Sequence, residues 1–205
     1  MRRLLDLCEM LVPPRANGKD PNPIARQHFE QLLSVCDSKW KAAYLLALNA
    51  ALYPSEVADV RKTEIDLDAK TLRMDRGKTG IVRIAVLWDR TVDAIREYQA
   101  EHPHESDYVF ISEEGQPYNA NHVGRNFRRR RKLAGLPFSV QFAHIRDGAE
   151  TAAIEGGADL TQARLLAGHC AGISDHYVRR NPKMVADACE AIEAAYFPED
   201  SQGQG

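Results

Sequence analysis

The chain has 205 residues, 44% of them hydrophobic, enough for one well-buried core. Its net charge of −2 and pI near 6.4 exclude a uniformly basic chain, so any affinity for a polyanion has to come from a local cluster. No apolar run reaches membrane-span length, and Asp6 and Glu9 spoil the signal-peptide start at Met1 to Leu5. Cys8, Cys36, Cys170 and Cys189 form no C-x-x-C pair and read as free thiols of a cytoplasmic protein.

Residues 1–20 open with a short helical stretch and break at Pro13-Pro14 and Ala16-Asn17-Gly18, which reads as a linker. Pro21 and Pro23 mark the start of a single domain over residues 21–197. Phe29, Leu32, Leu33 and Cys36 keep helical spacing. Lys41 to Leu52 reads as a second helix, so rich in alanine and leucine that a central place is expected. Tyr53-Pro54-Ser55-Glu56 interrupts it, and Val57 and Val60 carry a short third helix.

From Thr63 the period changes to two. Ile65-Asp66-Leu67 and Thr71 to Met74 alternate around a turn, and Ile81 to Leu87 follows a basic, glycine-flanked turn, Asp75 to Gly80. This predicts a small antiparallel sheet. Thr91 to Glu101 is helical and ends at His102-Pro103-His104, a solvent-exposed stop with no metal partners in sequence. Tyr108-Val109-Phe110 is extended, and Glu113 to Pro117 turns. Asn119 or Asn121 caps the next helix, which carries Val123, Phe127 and Leu133 inward. Its basic residues Arg125, Arg128, Arg129, Arg130, Arg131 and Lys132 are expected to face outward, as a solvated face or as phosphate contacts.

The densest chemistry lies between Phe142 and Asn181. Arg146 sits early in an alanine-rich helix, Gly156-Gly157 breaks it, and Asp159 caps a second short helix. That helix stops at Ala167-Gly168-His169. Tyr177 follows eight residues after the histidine, with Arg179 and Arg180 beside it. Asn181 and Pro182 open a last helix with Met184, Val185, Ala188, Ile192, Ala195 and Tyr196 on one face, and residues 198–205 read as a disordered tail. Arginine, histidine and tyrosine in this order suit phosphodiester chemistry. An arginine meets two phosphate oxygens, a histidine donates a hydrogen bond, and a tyrosine attacks to give a phosphotyrosine. Taken singly, each residue is more ordinarily a C-cap or a half-buried aromatic.

The run resembles the catalytic domain of the tyrosine recombinases, the phage-integrase family. That family carries H-x-x-R, then L-G-H, then a nucleophilic tyrosine about nine residues on. Arg146 matches the arginine, Gly168-His169 the glycine-histidine, and Tyr177 the tyrosine, one residue early. Lys78 in Gly77-Lys78-Thr79 matches the lysine that protonates the leaving 5′ oxygen. Two catalytic positions depart from the pattern. In G-L-R-x-x-E the chain reads Ala51-Leu52-Tyr53-Pro54-Ser55-Glu56, so tyrosine replaces the first arginine, and Ala143 replaces the first histidine. His144 lies about 200° around a helix from Arg146 and does not substitute. Glu150, one turn beyond Arg146, is placed to pair with it.

The resemblance implies a mainly α domain, six to eight helices with a three-stranded antiparallel sheet (α+β), spanning residues 21–197. It implies cleavage and rejoining of double-stranded DNA through Tyr177, with Arg146 and His169 on the phosphate, Lys78 as general acid, and no metal or nucleotide cofactor. Arg179, Arg180 and the basic helix would contact DNA, and the C-terminal helix would dock on another copy; no membrane or small-molecule substrate is implied, and DNA binding would place the protein at the nucleoid. Two alternatives stand beside it: the fold kept as a DNA-binding module without cleavage, and a protein-interaction domain.

Overall fold

The computed structural model of the protein describes residues 21–75, 82–169 and 180–198. The segment 1–20, Lys78, Cys8, Cys170, Tyr177, Arg179 and all but the first residue of the expected tail lie outside the described residues. Helix α1 (Arg26–Ser34) buries Phe29 and Leu32. Helix α2 (Ser38–Asn49) begins three residues earlier than the composition suggested, because Asp37 accepts a hydrogen bond from the Trp40 amide at 2.9 Å and caps it. It also ends earlier, since Ala51 adopts φ +50°. Every residue from Ala42 to Asn49 is buried, as its alanine-leucine composition required.

Helix α3 (Pro54–Asp59) starts on its proline, where a missing N–H costs nothing. A 3₁₀ turn (Lys62–Glu64) leads into strands β1 (Ile65–Asp66), β2 (Thr71–Asp75) and β3 (Val82–Val86), paired antiparallel in that order. The register sets Asp66 against Thr71 and Asp75 against Val82. Helix α4 (Asp89–Glu101) lies along α2. Asn49, fully buried, joins the two layers: its amide donates to the Val86 carbonyl and accepts from the Trp88 N–H, both at 2.9 Å. The extended Tyr108 segment makes a single bridge to Arg61.

Helix α5 (Ala120–Leu133), capped by Asn119, corrects one expectation. Arg125, Arg128, Arg129 and Lys132 are exposed, but Arg130 and Arg131 are buried and Leu133 points to solvent at 63% exposure. Five consecutive basic residues cannot share one face of a helix with 3.6 residues per turn. Val123, Phe127, Arg130 and Arg131 form the inward stripe. Arg130 pairs with Asp37 at 2.6 Å and lies over the Trp40 ring, while Arg131 donates to the Phe138 and Val140 carbonyls. Arg180 likewise turns inward, donating to the Val82 carbonyl at 2.8 Å, and its own carbonyl accepts from Arg73 at 2.7 Å.

Helices α6 (Ala143–Glu155) and α7 (Leu160–Leu166) are separated by Gly157 at φ +90°, and a 3₁₀ turn (Pro182–Val185) capped by Asn181 leads to α8 (Ala186–Tyr196). Helix α8 packs on α6, burying Ala188, Cys189, Ile192 and Tyr196, whereas Ala195 is exposed. The Tyr196 hydroxyl donates to the Ile24 carbonyl at 2.6 Å, and the Ile24 amide donates to the His144 carbonyl at 2.8 Å, closing the domain's two ends on α6.

A Cβ at Gly148 would lie 2.2 Å from the Tyr196 hydroxyl oxygen. Gly148→Ala should therefore cost roughly 1–3 kcal/mol in urea unfolding. Adding Tyr196→Phe, which removes the clashing oxygen, should recover part of that loss. A second expectation concerns pH. Burial pushes the Cys36 and Cys189 thiols from 9.0, and the Tyr196 hydroxyl from 10.0, up to about 12. The folded state holds these protons where the unfolded chain has released them. Their stabilisation is complete below pH 9.0 and is lost as pH rises toward about 12. The melting temperature should fall across that window, and a flat profile there would contradict the burial of these groups.

Candidate active site

Arg146 is 4% exposed, and four groups surround its guanidinium. Its Nη1 donates to the Ala51 carbonyl at 3.2 Å, and its Nε pairs with Glu150 Oε1 at 2.8 Å. Nη2 lies 3.3 Å from His169 Nε2, and the Tyr53 ring lies 4.0 Å from the guanidinium carbon. The expected Arg146–Glu150 pair is thus present. His169 comes from 23 residues further along the chain. Its side chain is 53% exposed, and its Nε2 is also 3.5 Å from Glu150 Oε2. The Nδ1–H tautomer accepts from Arg146 and the Nε2–H tautomer donates to Glu150, so either protonation finds a partner.

The backbone explains why these groups meet. Gly168 at φ +68° closes α7 with a Schellman pair: the Gly168 amide bonds to the Leu165 carbonyl and the His169 amide to the Arg164 carbonyl. This turn points His169 back at α6. Ala51 occupies a left-handed conformation that a non-glycine residue pays for at roughly 1–2 kcal/mol, and its carbonyl faces Arg146. Tyr53 follows as the residue before Pro54, held by its amide to Glu56 Oε2 at 2.8 Å. His144 is not part of the cluster, since its ring nitrogens lie against Asn22 and the Gln141 amide.

One residue that pattern reading missed is Arg83 on β3. It is 1% exposed and grips Glu56 with two bonds, Nε to Oε1 at 2.9 Å and Nη2 to Oε2 at 2.8 Å. Its Nη1 donates to the Leu166 carbonyl at 2.6 Å, at the end of α7. A Cβ on Gly168 would sit 2.8 Å from Arg83 Nε, so glycine is needed there for space as well as for φ. The available signal was a lone arginine in an apolar strand. Arg83 is an arginine near the site, but its guanidinium is committed to Glu56 and Leu166 and does not replace the one absent at Tyr53.

Among the described residues no cluster of three His, Cys, Asp or Glu side chains gathers to hold a metal ion. Nor is any described helix long and apolar enough to cross a membrane. A cavity of about 410 Å³ between Lys39, Tyr98, His104 and Ile111 shares no residue with the Arg146 cluster.

A family model described as the phage integrase family matches residues 23–183. The chain belongs to that family. Tyrosine recombinase XerA of Thermococcus kodakarensis is 26% identical over 170 residues, covering 80% of this chain and 60% of XerA. Type 1 fimbriae regulatory protein FimB of Escherichia coli K12 is 26% identical over 164 residues, covering 76% of this chain and 82% of FimB. The crystal structure of XerA recombinase aligns with a TM-score of 0.67 at 19% identity, over 92% of this chain and 68% of that one. The lambda integrase catalytic core aligns with a TM-score of 0.59 at 17% identity, over 72% and 95%. These two alignments establish the fold, a mainly helical domain with a three-stranded antiparallel sheet. The chain spans 50–60% of the length of the first three curated relatives it matches.

Within the phage integrase family pattern, the glutamate is kept as Glu56 and is spent on Arg83. Removing one partner of such a buried pair leaves a charge stranded. Glu56→Gln should lower stability in urea unfolding by about 3–5 kcal/mol. A loss under 1 kcal/mol would show that the pair does not hold α3, β3 and α7 together.

Proposed function

We propose that this chain is the catalytic domain of a tyrosine recombinase that cuts and rejoins duplex DNA. The observation that carries the reading is the convergence of Arg146 on α6 and His169 in the turn after α7, at 3.3 Å beside an exposed edge. Their N–H groups are those a scissile phosphate would need as charge accumulates on its oxygens. Tyr177 follows His169 by eight residues, and Lys78 falls in the sequence between β2 and β3, where the resemblance has its lysine, which supports their assignment as nucleophile and general acid. The Tyr177 phenol would release its proton to solvent and its oxygen would bond to phosphorus as the bond to the 5′ oxygen breaks and that oxygen takes a proton from Lys78, conserving the phosphoester as a 3′-phosphotyrosine. Attack by a 5′ hydroxyl reverses the step and joins a strand, so no nucleotide cofactor is consumed.

Tyr53 and Ala143 stand where the family pattern has an arginine and a histidine. Without the first arginine, Arg146 carries a larger share of the phosphate's charge, and slow cleavage is the consequence. Exposed Arg125, Arg128, Arg129 and Lys132 on α5 supply the remaining affinity for backbone phosphates. Two of the solved neighbours are lambda integrase as a dimer on a core site and as a tetramer on a Holliday junction. We extend assembly on DNA to this chain as well. Helix α8 spends its apolar face on α6, so a contact with another copy through that helix would use its outer side, Asp187, Glu190, Ala194 and Ala195.

Incubation with a pool of nicked duplexes should give a covalent protein–DNA adduct on a denaturing gel. Tyr177→Phe should abolish it, and Arg146→Ala should slow it by about 10²–10³-fold. Retained, salt-dependent DNA binding with no adduct from any duplex would assign the chain instead to DNA binding without cleavage.

A further inference from the structure

The reading above gives Arg146 and His169 to a phosphate, and the free protein already holds an anion there. Both oxygens of the Glu150 carboxylate are engaged: Oε1 at 2.8 Å from Arg146 Nε and Oε2 at 3.5 Å from His169 Nε2. One carboxylate therefore bridges the two groups across the space between them. Two carboxylate oxygens are spaced much as two non-bridging oxygens of a phosphodiester. The Tyr53 ring covers one face of the guanidinium and the Ala51 carbonyl occupies Nη1. Glu150 fills the side next to the half-exposed His169 and is itself 30% exposed.

Resting on that reading, we propose that Glu150 is a resident counter-anion of the phosphate site, displaced when a phosphodiester binds. Its position one turn beyond Arg146 lets it swing to solvent by side-chain rotation alone, without unwinding α6. In the free protein it keeps the guanidinium paired, so that a stray phosphate meets a neutralised site. A duplex held by the α5 basic face brings its phosphate at high local concentration and competes it out. Glu150 thus makes occupation of the site depend on contacts elsewhere on the DNA.

The test is a titration of the full chain with inorganic phosphate, at fixed pH and ionic strength, followed through the His169 ring protons by NMR. His169→Asn assigns those signals. Glu150→Gln keeps a hydrogen bond for Arg146 Nε while removing the competing charge, and should tighten phosphate binding about tenfold. Glu150→Ala should tighten it by a similar factor, and thermal melts of both variants verify folding. Equal affinity in all three proteins would overturn the role of Glu150 and leave Arg146 and His169 as phosphate ligands. No shift of the His169 signals in any of them would overturn it together with the phosphate site. Strand cleavage is read separately, through the Tyr177 adduct.

Discussion

The buried pair between Arg83 and Glu56 is the contact on which the rest of the site depends. It joins three elements that share no sequence neighbourhood: β3, the first turn of α3, and the last carbonyl of α7. Burying two charges is unfavourable unless geometry and further hydrogen bonds compensate, and here the pairing is bidentate with additional partners on each side. The consequences are positional. Glu56 also fixes the Tyr53 amide, which sets the ring over Arg146. Arg83 fixes the Leu166 carbonyl and leaves room only for glycine at 168, which sets the turn that presents His169. Neither residue touches the Arg146–His169 contact, yet both ends of that contact are placed through them.

The electrostatics of the cluster follow from what replaced the missing arginine. A second guanidinium at residue 53 would lie against Arg146, and two like charges at such range repel unless an anion sits between them. The tyrosine removes that repulsion and adds attraction, a ring face under a guanidinium being worth about 0.5–2 kcal/mol. Glu150 then neutralises what charge remains. The free protein is consequently at ease with a buried arginine. On the proposed function, the same arrangement would reduce the pull that the site exerts on a phosphate.

Much of this was legible in the sequence because it rests on short-range patterns. The α2 composition announced a central helix, the Asn119, Asp159 and Asn181 caps fell where side-chain oxygens precede helical spacing, and period-two alternation located the sheet. The i, i+4 spacing of Arg146 and Glu150 also foretold their pairing. What stayed hidden depends on tertiary context. Arg130, Arg131 and Arg180 look like any surface arginine in a basic run. Their burial is decided by Asp37 and Trp40 and by the Phe138, Val140 and Val82 carbonyls, brought close only by folding. The role of Arg83 was hidden for the same reason, its partners lying 27 and 83 residues away.

Two departures from the family pattern, Ala51 and Tyr53, lie in one turn, and their closeness has a physical basis. Ala51 stands where the pattern has glycine, and it holds the positive φ that glycine would adopt at no steric cost. A strained residue persists only where its surroundings over-determine it. Here the surroundings are visible: Leu52 is fully buried, its amide bonds back to the Ala47 carbonyl, and the Ala51 carbonyl accepts from Arg146. The turn is thus kept by packing on one side and by the site arginine on the other. Tyr53, two residues on, gains its stacking contact from the same turn. Substitutions at 51 and 53 therefore change one shared local geometry, and Arg146 is the group that holds it.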